Sequence, residues 1–228
     1  PFSFDKTDSL IEGDNRILVR VNHKAPNTRW YSGAGIYRNV WLRKTSRNHI
    51  VQDGIYINAR PNDSDHREQG KWKGIIQTEL SMQTCGTLAF DVTDPTGCEA
   101  YSCERRVCGK SDKLVFYIDG PKLWDIITPD LYSLSVALYA EDGTQYDSVQ
   151  TKFGFRTTKF DPKEGFLLNG IRVKLNGVCM HHDLGALGAA VNYDATYRQL
   201  SKMKEMGVNA IRTSHNPPSK ELMDICDK

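Results

Sequence analysis

Gly177-Val-Cys-Met-His-His-Asp183 and, further along, Asn209-Ala-Ile-Arg-Thr-Ser-His-Asn-Pro217 share one layout, an apolar strand that ends in a burst of polar, hydrogen-bonding residues. Between them, Asp194 to Met206 places Tyr197, Leu200, Met203 and Met206 at helical spacing, with Asp194 as the expected N-cap and Gly207 as the stop. The pattern is strand, helix, strand. Pro217-Pro218-Ser219 then opens a second helix, whose expected buried stripe is Leu222, Met223, Ile225 and Cys226. In open and closed parallel sheets the carboxyl ends of the strands carry the chemistry. His181, His182, Asp183, Arg212, Ser214 and His215 are therefore expected on one rim.

Upstream the pattern changes. Asn169-Gly170, set between Gly165-Phe-Leu-Leu168 and Ile171-Arg-Val-Lys-Leu175, is a two-residue hairpin signal. Thr157 to Glu164 reads as a polar, proline-containing linker. Before it, short strands recur at Gly54 to Ala59, Gly74 to Met82, Thr87 to Val92, Lys113 to Ile118, Ser133 to Ala140 and Asp147 to Phe155. Asp94-Pro95, Asp119-Gly-Pro121 and Asp142-Gly143 supply turns between them, a pattern that predicts a β-sandwich. Arg16 to Asn22 reads as a further strand, and Val40-Trp-Leu42 continues an all-β region.

Thirty basic and 28 acidic residues leave a formal charge of +2 over 228 residues, which gives no argument for a nucleic-acid or membrane-surface partner. No apolar run approaches the roughly 18 residues needed to span a bilayer. The six cysteines, at 85, 98, 103, 108, 179 and 226, contain no C-x-x-C pair. Cys179 and Cys226 read as buried thiols, and the pairing of Cys85, Cys98, Cys103 and Cys108 stays open.

Three ordered stretches carry a resemblance. Phe166-Leu-Leu-Asn-Gly170, Gly177 to Asp183 and Ile211-Arg-Thr-Ser-His-Asn-Pro217 resemble the opening of the catalytic barrel in family 2 glycoside hydrolases, which include β-galactosidases, β-glucuronidases and β-mannosidases. Asn27-Thr-Arg-Trp-Tyr-Ser-Gly-Ala-Gly-Ile-Tyr-Arg-Asn-Val-Trp-Leu42 resembles the end of that family's sugar-binding jelly roll. Phe153-Gly-Phe-Arg156 resembles the exit from its immunoglobulin-like domain. The resemblance implies a multidomain chain: the last part of a jelly roll over 1–45, an immunoglobulin-like sandwich over 46–156, and the first β/α units of a (β/α)8 TIM barrel over 157–228.

The implied chemistry is retaining glycoside hydrolysis, most directly of β-galactosides, with one carboxylic acid protonating the leaving oxygen and a second carboxylate attacking the anomeric carbon. No Asn-Glu pair of the kind that carries the family's acid/base glutamate occurs in the sequence. Both glutamates are therefore expected beyond Lys228, and this stretch is expected to be inactive alone. By resemblance His181 and His215 bind sugar hydroxyls, Arg212 stands beside the nucleophile, and Asp183 adds to the substrate shell. Arg29 and Trp30 would edge the sugar site. The family often has Asn-Arg where this chain has Cys179-Met180.

No cofactor is implied, and a structural or activating cation in a longer enzyme is left open. A metal set at His181-His182-Asp183 is disfavoured because adjacent strand residues point to opposite faces. The expected partner is a carbohydrate, with no nucleic acid and no membrane. Homo-oligomerisation and the choice between cytoplasm and export are left open. The competing class is a non-catalytic carbohydrate-binding or scaffolding module.

Overall fold

The computed structural model describes residues 3–24, 34–62 and 70–228. Two units are distinguished, Pro1–Asn39 and Val40–Lys228. In the first, a single 3-10 turn covers Thr7–Ser9. Asn15 closes the following bend, its Oδ1 accepting from Ile11 N at 3.0 Å and its Nδ2 donating to Ile11 O at 2.8 Å. The strands expected at Arg16 to Asn22 and, in the second unit, at Val40 to Leu42 have no ladder partner among the described residues, and Ile17, Leu18, Trp41 and Leu42 stay exposed. An apolar extended segment becomes a strand only where another strand takes up its backbone groups.

The second unit opens with seven strands: β1 (His49–Pro61), β2 (Lys71–Ser81), β3 (Gly86–Thr93), β4 (Glu99–Val107), β5 (Ser111–Asp119), β6 (Tyr132–Tyr139) and β7 (Gln145–Phe153). One sheet has the order β1-β2-β5 and the other β4-β3-β6-β7, every pairing antiparallel. Alternate residues of each strand enter one core around Trp72, Ile76, Phe90, Phe116, Leu134, Val136 and Phe155. Phe155 meets Trp72 and Tyr132 edge to face, at centroid separations of 5.7 and 4.9 Å. A Cβ on Gly74 would run into the Phe116 ring, so glycine is what lets that ring lie flat against β2. Asp147 of β7 ties the two sheets together, accepting from Ile50 N at 3.0 Å and pairing with Arg43 at 2.9 Å.

β4 is the strand that the sequence reading passed over. Its Glu99, Glu104, Arg105 and Arg106 are exposed, as befits a charged sheet edge. Cys85 and Cys108 form a disulfide one step beyond the Gly86–Val107 pair, closing the β3–β4 hairpin at its open end.

The stretch expected as a linker forms β8 (Thr158–Asp161), which joins β9 (Gly165–Leu168) and β10 (Ile171–Arg172) in an antiparallel sheet of order β10-β9-β8. The Asn169-Gly170 hairpin turn is present, with φ values of 51° and 77°. Beyond it lie β11 (Gly177–Cys179), α1 (Tyr193–Glu205), β12 (Ala210–Arg212) and α2 (Lys220–Cys226). β11 and β12 are parallel. The chain is thus mostly β, a sandwich followed by a strand-helix-strand-helix segment.

The cap of α1 lies two residues before the expected Asp194: Asn192 Oδ1 accepts from Ala195 N at 2.9 Å. Gly207, at φ 85°, ends it as expected. Its buried residues are Thr196 and Leu200, while Tyr197 and Met206 are exposed. Ser219 caps α2 by accepting from Leu222 N at 3.2 Å. Of the expected α2 stripe Ile225 is buried and Leu222 packs beside it, but Met223 and Cys226 face outward. Cys179 is likewise exposed, on the face of the β11–β12 pair that no described element covers.

Candidate functional site

Met180, Leu200 and Ile225, with Met203, Ile211 and Leu222 against them, form the small core that seats the two helices on one face of the parallel pair. Gly177, Val178 and Cys179 stand opposite Ala210, Ile211 and Arg212 in register, and Met180 N adds one more bond to Arg212 O at 2.8 Å. Asn209 fixes the entry to both strands. Its Oδ1 accepts from Asn176 N at 2.8 Å and its Nδ2 donates to Lys174 O at 2.9 Å. The loops after β11 and β12 therefore leave the sheet side by side.

Those loops bring His181 and His215 together, ring centroids 5.4 Å apart and nearly perpendicular. The turn that presents His215 is held by Ser214, a buried non-glycine residue at φ 54° whose Oγ has no hydrogen-bond partner among the described residues. A side chain in the left-handed region costs about 1 kcal/mol or more and clusters at functional sites. Asp183 turns back into its own loop, where its carboxylate accepts from Gly185 N at 2.9 Å. Arg212, three residues before His215, stands opposite Cys179, two residues before His181, with its Nη1 3.9 Å from Cys179 Sγ.

The two loops line an open pocket of about 40 Å³, walled by Met180, His181, Asp183, Thr196, Gln199 and Asn216 among others. Among the described residues no group of three or more His, Cys, Asp or Glu side chains comes together as a metal set. His181, His215, Arg212 and Asp183 thus fall on neighbouring strand ends. Arg29 and Trp30 lie outside the described residues.

Sequence reasoning missed Trp124. Its indole Nε1 donates to Asp227 O at 2.8 Å, its ring lies 4.7 Å from the Arg156 guanidinium, and its carbonyl accepts from Asn169 Nδ2 at 3.1 Å. A Cβ on Gly154 would sit 2.7 Å from the Trp124 Cβ, so the glycine of Phe153-Gly-Phe-Arg156 admits the indole. Burial pushes the Asp227 carboxyl above the usual aspartate range, and Arg156 pulls partway back. A lone tryptophan after a Gly-Pro turn carries no periodic signal that would have found it.

The family model "Glycosyl hydrolases family 2" matches residues 56–156, and "Glycosyl hydrolases family 2, TIM barrel domain" matches residues 162–228. The chain belongs to glycoside hydrolase family 2. It is 42% identical to Beta-galactosidase BoGH2A of Bacteroides ovatus over 236 aligned residues, covering 100% of this chain and 27% of that protein. It is 31% identical to a Beta-glucuronidase of Bacteroides fragilis, covering 100% of this chain and 35% of the relative. A solved beta-glycosidase from Bacteroides vulgatus superposes with a TM-score of 0.82 at 36% identity, over 91% of this chain and 26% of that one. The chain thus spans about a quarter to a third of the length of these relatives. No helix among the described residues is long and apolar enough to cross a membrane.

Proposed function

We propose that this chain is part of a retaining β-glycosidase that hydrolyses terminal β-linked sugars, β-galactosides first among them. The observation that carries the reading is the meeting of His181 and His215 from two adjacent parallel strands, 5.4 Å apart. In this reading 1–45 is the last part of a sugar-binding jelly roll, 46–156 an immunoglobulin-like sandwich and 157–228 the opening of a TIM barrel.

His181 and His215 take sugar hydroxyls, Arg212 keeps the nucleophile carboxylate ionised and oriented, and Asp183 holds the loop that carries His181. Arg29 and Trp30 edge the same sugar site, and the acid/base and nucleophile glutamates come from outside the 228 residues. Hydroxyl contacts of this kind act when they strengthen at the oxocarbenium-like transition state. A β-glucuronidase is the second reading, supported by the Bacteroides fragilis relative of that name.

The test is a panel of chromogenic β-galactosides, β-glucuronides and β-mannosides on the full-length protein. Galactoside hydrolysis is expected to dominate, and His215→Ala is expected to lower kcat/KM roughly 10- to 100-fold, the scale of a lost hydrogen bond in a dry site. Binding of sugar with no turnover of any glycoside would leave a non-catalytic module instead.

A further inference from the structure

Cys179 and Arg212 are direct partners in the parallel register of β11 and β12. Their neighbours Met180 and Ile211 pack toward the helices, so alternation along the strands puts Cys179 and Arg212 on the opposite, exposed face. Among the described residues no carboxylate lies within ion-pair distance of Arg212, and the Cys179 sulfur, 3.9 Å from Nη1, is the acceptor that its guanidinium reaches. An arginine without such an anchor samples many rotamers, and its worth to a reacting group depends on being held in one.

We propose that Cys179 is a positioning residue for Arg212: its sulfur accepts from Nη1 and holds the guanidinium in one orientation on the open face of the parallel pair, close to the strand ends that carry the histidines. The proposal rests on the glycosidase reading above, in which Arg212 stands beside the nucleophile. Position 179 then sets how well that cation is aimed. Any residue there with an acceptor at similar reach can serve, and one without an acceptor cannot.

The test uses the full-length enzyme. Cys179→Ala is expected to lower kcat about tenfold with KM within about twofold, since aim matters most at the transition state. It should also move the acid limb of kcat/KM to higher pH, because a loosely held cation stabilises the charged carboxylate less. Cys179→Asn, which restores an acceptor, should return kcat to within about threefold of wild type. Wild-type activity with an unmoved acid limb in the alanine variant, or an asparagine variant as impaired as alanine, would overturn the proposal.

A second measurement needs no turnover. Iodoacetamide alkylation of Cys179, followed by peptide mass spectrometry with Cys98 as internal reference, should change in rate about threefold in Arg212→Met, because the sulfur loses the guanidinium that contacts it. Equal rates would remove the contact. A wild-type protein that hydrolyses no β-glycoside would defeat the glycosidase reading, and the role in hydrolysis with it, whereas the alkylation comparison decides the contact by itself.

Discussion

The indole N–H of Trp124 donates to the carbonyl of Asp227 across 2.8 Å, joining the sandwich to the C-cap of α2. The same residue receives Asn169 Nδ2 on its carbonyl and Arg156 on its ring. One residue thus ties together the sandwich, the β9–β10 hairpin and the last helix, the hairpin through its backbone carbonyl and the helix through its indole. Trp124→Phe keeps most of the apolar contact and loses one hydrogen bond, so it should cost about 1 kcal/mol. Trp124→Ala also empties the space against Gly154 and should cost about 3 kcal/mol or more. Chemical denaturation measures both, and hydrogen exchange should place the loss over residues 220–228.

The Cys85–Cys108 bridge has a sequence separation of 23 residues, which in the chain-entropy account corresponds to roughly 3 kcal/mol. Cys85→Ser with Cys108→Ser should lower the denaturation midpoint accordingly, with the first effects at the β3–β4 hairpin. Thiol titration of the unfolded, unreduced chain should find four of the six cysteines free, and six after reduction.

Much of this was legible from spacing. The recurrence of short strands with turn signals between them gave the sandwich, Asn169-Gly170 gave the hairpin, and the repeated apolar-then-polar layout gave the parallel pair with its histidines at the ends. What escaped reading had a physical reason in each case. β4 is an edge strand whose charges mask its alternation. The α1 cap fell to Asn192 and not Asp194 because either side chain can cap, and only the local backbone decides which one does. The exposure of Met223, Cys179 and Cys226 depends on what covers α2 and the second face of the sheet, and helical or strand periodicity says nothing about a missing neighbour. The cysteine pairing and the Trp124 junction are long-range contacts without any local pattern.

Four turn aspartates share one electrostatic design. Asp94, Asp125, Asp142 and Asp161 all have carboxyls held below the usual aspartate range: Asp94 first by the Thr96 hydroxyl, Asp125 by Thr128 N–H, Asp142 by Thr144 N–H and Asp161 by Lys163 N–H. A carboxyl lowered on folding adds stability that is present above its unfolded value and is lost as pH falls through the folded one. Acid unfolding should therefore set in below about pH 4, the ordinary aspartate value. Asp125→Asn keeps an acceptor for Ile127 N and Thr128 N but cannot titrate. Its stability should fall less steeply with acid than that of the wild type, as read by denaturant midpoints at pH 5, 4 and 3.

Ser214 separates geometry from chemistry at the histidine pair. Its φ of 54° suits glycine, and its buried hydroxyl has no hydrogen-bond partner among the described residues. Ser214→Gly relieves the side-chain strain but frees the unfolded chain, two effects of about 1 kcal/mol with opposite signs, so stability should change little. Ser214→Val brings a β-branched side chain to the same backbone and should cost roughly 2 kcal/mol or more. The turn carries His215 to His181, so the valine variant should also weaken the nuclear Overhauser contact between the two rings, and the glycine variant should keep it. A valine variant with the rings in place and wild-type stability would show that the left-handed turn does not position His215.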